Sequence, residues 1–447
     1  MKIDPARLAR NVLVAVALGL AVPGASAATS LSGAYLAAMQ ADLNNDYAVG
    51  AEYYARALES DPGNPGLLQN AIVMHAAAGD VAAAVEYAEA LALDNPDNQI
   101  VALVQLSDAL ANEDFPEAAA VLERSGNGFN PLLGGLVSGW ITVGQQDFPA
   151  ARERFDAIDG NPALAAYGQY HKALALAMAG DFVSAETILA GGEDGPLHLN
   201  RGALLAHAQV LAQIDRESEG VAVLDDALSG GVPDAELVDL RDRLAAGEEV
   251  PFTHVTRARD GAAEAFLTLA DALDAPESGR IALIHSRLAL HIRPDMVEAH
   301  MLTGELLESQ EQYALAQDAL AQVPATSPWS ISAEIRRANA LRASGDAAAG
   351  IAALRDLAAA HPGNLEAQSA LGDALRTDEQ FAESAEAYDK AIALIESPQQ
   401  AHWVIFYTSG ISHERAGNWD TAEAAFRTAL ELQPDQPLVL NYLGYSL

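Results

Sequence analysis

The chain has 447 residues, half of them apolar, with 62 acidic against 25 basic residues and a net charge of −37. That balance excludes nucleic acid as a natural partner, because phosphate binding needs a basic surface, and it argues against docking on an anionic membrane face. There is no cysteine, so disulfides, thiol catalysis, cysteine–zinc sites and a cysteine-borne lipid anchor are all excluded.

Residues 1–27 form the first unit. Lys2, Arg7 and Arg10 precede the apolar run Val12–Val22, and Ala25, Ser26 and Ala27 offer small residues to a peptidase, which is the pattern of a secretory signal peptide. The run is about half the ~20 residues that span a bilayer. The expectation is cleavage after Ala27, a mature chain without an integral membrane span, and a periplasmic or secreted location.

From Leu31 onward, apolar residues recur at helical spacing, alanine and leucine dominate, and period-two alternation is absent, so the fold class is all-α. The pattern repeats. Units start at Leu31, Pro65, Gln99, Leu132, Ala166 and Arg201, and resume at Ala263, Val297, Ile331, Leu365 and Trp403. Successive starts lie 33 to 35 residues apart, except for four extra residues before Trp403 and a 62-residue step from Arg201 to Ala263. The twentieth position of every unit is small: Gly50, Ala84, Ala118, Ala151, Ala185, Gly220, Ala282, Ala316, Gly350, Ser384 and Ala422. The eighth is small in most, as at Ala38, Gly139, Gly304, Gly372 and Gly410, with Ile72 and Leu106 departing. Small residues at fixed positions let two helices pack closely. Gly79-Asp80, Gly180-Asp181, Gly345-Asp346 and Gly417-Asn418 mark the turn between them: glycine ends the first helix and Asp or Asn caps the second. Pro62, Pro96, Pro294, Pro362 and Pro434 close the unit.

The long step sets the organisation. Six repeats fill residues 28–234, a helix and linker occupy 235–262, and five repeats plus a partial twelfth fill 263–447. In the insert, Leu237, Leu240 and Leu244 share one helical face and Gly247 ends it. Glu248 to Asp260 then reads as an irregular, protease-sensitive joint, with Asp260 capping the next helix. The first array (28–250) carries 34 acidic and 9 basic residues, and the rest of the chain carries 27 and 13. Two arrays with separate binding tasks, or one continuous superhelix with a degenerate middle unit, both satisfy this pattern.

The 34-residue helix–turn–helix, with small residues at positions eight, twenty and twenty-seven (Ala57, Ala227, Ala289, Ala391, Ala429) and a proline near position thirty-two, resembles the tetratricopeptide repeat (TPR) family. The resemblance covers nearly all of Leu31 to Leu447. It implies a right-handed α-solenoid whose first helices, the helices A, line a concave groove that holds protein partners. Its groove positions fall on Tyr35, Met39, Val73, Leu103, Leu136, Trp140, Tyr167 and Tyr170 in the first array, an apolar and aromatic set suited to an extended peptide or amphipathic helix. The same residues could instead fill contacts between successive helices A. In the second array the groove positions include Asp271, Glu305, Glu308, Asn339, Arg342, Asp373, Arg376 and Arg415. Arg336, Asn339, Arg342 and Arg376 offer a loose anion seat, or else balance surface charge. The fifth position never carries lysine, which rules against the family's clamp for a partner's C-terminal carboxylate.

No HExxH, Walker A, GxGxxG or GxSxG motif occurs, and the eleven histidines show no metal-ligand spacing. No catalytic residue, metal or cofactor is expected. The reading is a non-enzymatic protein–protein interaction scaffold of a bacterial cell envelope. The alternative is a regulatory or targeting module of a longer enzyme or polymer-export protein. Pro437 to Leu447 reads as helix A of a twelfth unit with no partner helix behind it, so further sequence is expected beyond Leu447.

Overall fold

The computed structural model describes residues 31–126, 129–158, 162–191, 197, 199–229, 234–273 and 278–446. The signal-like segment 1–27 lies outside them. The described residues form 24 α-helices and no strand. No helix among them is long and apolar enough to cross a membrane.

Six antiparallel pairs come first: α1 (Leu31–Leu43) with α2 (Tyr47–Ser60), α3 (Pro65–Ala78) with α4 (Val81–Ala92), α5 (Gln99–Ala111) with α6 (Phe115–Ser125), α7 (Pro131–Gly144) with α8 (Phe148–Asp156), α9 (Pro162–Met178) with α10 (Phe182–Leu189), and α11 (Arg201–Ala212) with α12 (Glu217–Leu228). A single helix, α13 (Ala235–Ala245), follows. The pairs resume as α14 (Ala258–Ala272) with α15 (Gly279–Ile292), α16 (Val297–Ser309) with α17 (Tyr313–Leu320), α18 (Ser330–Ala343) with α19 (Ala347–Ala360), α20 (Leu365–Thr377) with α21 (Phe381–Ala393), and α22 (Trp403–Arg415) with α23 (Trp419–Leu432), ending in α24 (Pro437–Ser446). Helix α14 begins five residues before the expected Ala263.

Local chemistry sets each pair. Asp46, Asp80, Asp114, Asp147, Asp181 and Asp346 each accept a hydrogen bond from a backbone N–H three residues on, capping the second helix. The preceding turn residue is left-handed. Gly79 takes it at φ 99°, but Asn45, Glu113, Gln146, Asp215, Glu311 and Glu379 adopt it too, at 54° to 66°. That is why glycine marks only some of the turns in the sequence. The small eighth position also has a concrete use. Gly139 receives the ring of Phe155, Gly372 that of Tyr388 and Gly410 that of Phe426; a Cβ would meet these rings at 2.3, 2.9 and 2.6 Å. Each ring is the twenty-fourth residue of its own unit, on the second helix.

The joint at 248–260 departs from expectation, because it is tied down. Val250 and Val255 are buried. Gln209 Oε1 accepts from the backbone N–H of Thr253 at 2.9 Å and of His254 at 3.2 Å. Gln213 Nε2 donates to the Val250 carbonyl at 2.6 Å, and Arg293 donates to that of His254 at 2.8 Å. Asp260 lies inside the first turn of α14 and reaches back to the N–H groups of Thr256 and Arg257. A segment whose backbone groups are satisfied this way is a strap, not a hinge. One hydrophobic core takes in residues from Ala34 on α1 to Ala319 on α17, with Val255 of the insert in it, while Leu224 on α12, Leu237, Leu240 and Leu244 on α13 and Val250 form a separate cluster.

Continuity comes from a long-range contact. The α14–α15 hairpin lies on the helix-A face of the first array: α14 packs on α7 and α9, and α15 on α3 and α5. A row of cations fastens it. Arg280 donates to the Asp42 carboxylate at 2.7 Å and the Asp42 carbonyl at 2.9 Å, at the end of α1. Arg287 donates to the carbonyls of Ala77 and Ala78, both at 3.3 Å, at the end of α3. His291 meets Asp108 at 3.1 Å near the end of α5, and Arg259 donates to the α5 carbonyl of Ala111 at 3.2 Å. The last carbonyls of a helix lack internal partners and carry its negative dipole end, so Arg280, Arg287 and Arg259 each meet a ready acceptor.

Candidate functional site

The sequence-derived groove residues separate into two groups. Leu103, Leu136, Trp140 and Tyr170 are buried; Val73 and Tyr167 are partly buried against the same core. Only Tyr35 and Met39, on α1, stay open, each 39% exposed. The groove does accept an apolar helical element, and that element is the chain's own hairpin. Gly261 on α14 lies flat on the Trp140 indole, where a Cβ would come within 2.2 Å of the ring. The expectation that Trp140, Tyr167 and Tyr170 present a surface to a partner is corrected accordingly: in this structure α14–α15 covers the face on which they lie.

The arginines of the expected anion seat have partners within the second array. Arg336 is bound to Glu308 at 2.7 Å and lies 3.5 Å from Glu305. Arg342 donates to Asn339 Oδ1 at 3.1 Å and the Ala374 carbonyl at 3.4 Å, and Arg376 to Asp373 at 3.3 Å. Arg336 and Arg376 are each held by a carboxylate, and Arg342 by an amide and a carbonyl oxygen.

A polar cluster that the sequence did not single out lies under the hairpin. Tyr170 donates its hydroxyl proton to Glu264 at 2.9 Å and stands 3.1 Å from His254 Nε2; His254 Nε2 is 3.6 Å from Glu264. Gly202 on α11 makes room for the cluster, since a Cβ there would meet Tyr170 Oη at 2.9 Å and Glu264 Oε1 at 3.0 Å. Burial alone would raise the Glu264 carboxyl, but the charge and hydrogen bond of His254, with help from Tyr170, outweigh it and hold Glu264 at about 2. Burial opposes protonation of His254, and Glu264 more than compensates, so His254 is raised. Burial lifts the Tyr170 hydroxyl well above its usual range, and the neighbouring Glu264 adds to this. Next to the cluster, Trp140 Nε1 donates to His171 Nδ1 at 2.8 Å. Burial holds His171 at about 4, so it is the neutral acceptor this bond requires.

His254 and Glu264 of the cluster line a cavity of ≈ 210 Å³ whose walls include Arg201, Leu267, Met301, Leu302 and Trp329, with exposed Glu305 and partly buried Arg336 at its rim. Arg201 stacks on Trp329, 4.6 Å from the ring centroid, while bonding Asp234 at 2.6 Å; Trp329 Nε1 donates to Glu236 at 3.0 Å. One sequence signal pointed here: Glu264 is a carboxylate at a groove position of a helix A, where the first array carries apolar residues. Its partners Tyr170 and His254 are 94 and 10 residues away and show no joint spacing. Among the described residues no group of three or more acidic or histidine side chains is placed to hold a metal ion.

The second array has a different helix-A face. On α16, α18, α20 and α22, Glu305, Asn339, Asp373, Val404 and Arg415 are exposed, and among the described residues no helix packs across them.

The tetratricopeptide repeat family model matches residues 35–100, 335–401 and 407–447. No curated protein sequence matches the chain. Among solved structures, yeast Tom70 is 13% identical over 93% of this chain and 87% of its own, with a TM-score of 0.35. MamA from Desulfovibrio magneticus RS-1 is 22% identical over 39% of this chain and 96% of its own, with a TM-score of 0.32. YrrB, described as a TPR protein with an unusual peptide-binding site, is 17% identical over 41% of this chain and 92% of its own, at 0.30. Scores this low describe no common overall shape. The family matches at both ends of the chain mark a protein–protein interaction module. Over those three stretches the chain is a tetratricopeptide-repeat protein, and helix pairs continue between them.

Proposed function

We propose that the protein is a non-enzymatic scaffold of a bacterial cell envelope that holds a polypeptide partner on the helix-A face of its second array. The observation that carries this is the contrast between the two faces. The first is filled by α14–α15, and the second presents exposed Glu305, Asn339, Asp373, Val404 and Arg415 with nothing packed across them. Charged and polar groups along such a face set register and exclude wrong partners, while an exposed aliphatic residue such as Val404 supplies a contact to bury. The signal-like pattern in residues 1–27 supports the envelope location.

The test is retention of partners from an envelope extract by the full chain. Val404→Asp and Asn339→Trp place a charge and a bulky ring on the second face and should abolish retention, whereas Tyr35→Ala and Met39→Ala on α1 should leave it intact. The opposite pattern would move the binding surface to α1. Amino-terminal sequencing of the exported protein checks the location, with Ala28 expected first.

A further inference from the structure

The cavity lined by His254 and Glu264 lies where the filled face ends and the open face begins. Its walls are contributed by α11, the 248–260 strap, α14, α16, Trp329 and α18, so it is made only when α14 is seated. Its rim includes Glu305 and Arg336, on α16 and α18, the first two helices A of the open face.

Charge decides what can enter. Glu264, Asp271, Glu298 and Glu305 line the cavity against Arg201, Arg336 and the raised His254, and Asp234, Glu236 and Glu308 stand behind the two guanidiniums. Both guanidiniums already face carboxylates, Arg201 Nη1 lying 3.7 Å from Glu298. Arg201 bonds Asp234 at 2.6 Å and also Glu236, and Arg336 bonds Glu308 at 2.7 Å. An incoming carboxylate or phosphate would therefore face surplus negative charge in a partly desolvated space, whereas a cation would be attracted to it. The chain's net charge of −37 draws basic segments toward the same region.

Shape narrows the choice. The walls at Leu267, Met301 and Leu302 are apolar, and the buried Glu264 carboxylate lines the same cavity. That arrangement suits a methylene stem ending in a charged head. A volume of ≈ 210 Å³ is below the roughly 300–1,000 Å³ of pockets that hold a whole small molecule, and is of the order of one side chain.

We propose that this cavity receives a lysine or arginine side chain from a basic partner segment lying along the second array's helix-A face. The proposal rests on the scaffold reading above for the identity of the donor. The cavity itself can be tested without a partner.

The experiment uses the full chain labelled with 5-fluorotryptophan. It has four tryptophans, and Trp329→Phe assigns the signal at the cavity wall. N-acetyl-arginine amide and N-acetyl-lysine amide should shift the Trp329 resonance saturably, and N-acetyl-norleucine amide should bind roughly tenfold or more weakly. Glu298→Gln should weaken the cationic probes by about the same factor. Leu302→Phe, which fills the cavity from a half-buried position, should abolish the shift while the thermal unfolding transition is retained. Equal binding of the norleucine probe, preference for N-acetyl-glutamate amide, or a Trp329 signal unmoved by either cation in the unsubstituted chain would overturn the proposal. A chain that binds the arginine probe but retains no partner on the second face loses the scaffold reading and keeps the cavity. The reverse result removes the cavity alone.

Discussion

The two helix-A faces are built from the same repeat and have opposite fates. On the first, Leu103, Leu136, Trp140 and Tyr170 are within the core because α14 and α15 cover them. On the second, Met301, Ile335 and Ile411 are buried between neighbouring helices, while Glu305, Asn339, Asp373, Val404 and Arg415 stay in water, with no hairpin over them among the described residues. Burying large apolar groups is worth roughly 1.5–3 kcal/mol each, so an apolar face this size recruits a cover, and a charged face does not. Apolar residues at groove positions are therefore no guide to an open binding surface when the chain is long enough to fold back on itself. Here the surface left for a partner is the more polar one.

The largest expected effect tests whether the hairpin is structural. Gly261→Leu would drive a side chain into the Trp140 ring, and even Gly261→Ala places a Cβ 2.2 Å from it. Overpacking of this kind costs about 1–3 kcal/mol, more than the ~1 kcal/mol that alanine gains over glycine in a helix. Urea unfolding should show Gly261→Ala clearly destabilised and Gly261→Leu more so. A hairpin that merely rests on the groove would detach and leave the stability of the repeats beneath it unchanged.

Acid should loosen the first face before the second. Native His171 remains neutral down to about 4, while the unfolded chain takes up that proton near 6.5. Between those values the unfolded state binds more protons, so stability falls as the pH is lowered through this window, by on the order of 3 kcal/mol. Glu264 adds a further loss from 4.5 down to about 2. The raised His254 works in the opposite sense, contributing stability below 6.5 that fades as pH rises through its folded value. His171→Phe should flatten the stability profile between pH 6.5 and 4; an unchanged slope would mean that other groups carry it.

The cation row sharpens the comparison at a finer scale. Arg287→Ala should cost about 1–2 kcal/mol, since it strips two carbonyls of a buried donor that desolvation has already pulled down to about 10. Arg280→Ala, in a more exposed position, should cost under about 1 kcal/mol, and less in high salt. The smallest effect belongs to the open face. Glu305→Gln should change stability by no more than about 0.5 kcal/mol, because its side chain is 68% exposed. If it destabilised the chain as much as Arg287→Ala, the second face would be structural as well.

The sequence by itself determined the helix pairs. Aspartates at the turns, small residues at the eighth and twentieth positions, and apolar residues at helical spacing act within one unit or between neighbours, at separations shorter than the repeat, and such contacts leave a period in the chain. The glycine turns were legible at Gly79 and Gly180; the equivalent turns at Glu113 and Gln146 were not, because capping and packing there hold a non-glycine residue in the left-handed region. Which face stays open was decided only by tertiary structure. Tyr170 meets Glu264 across 94 residues, and Arg280 meets Asp42 across 238. Such contacts have no period, and the hairpin that makes them carries the same repeat pattern as its neighbours. Its seating depends on the summed fit of Gly261 against Trp140, of cations against helix ends, and of a strap held by Gln209 and Gln213, none of which the local sequence around any one of them encodes.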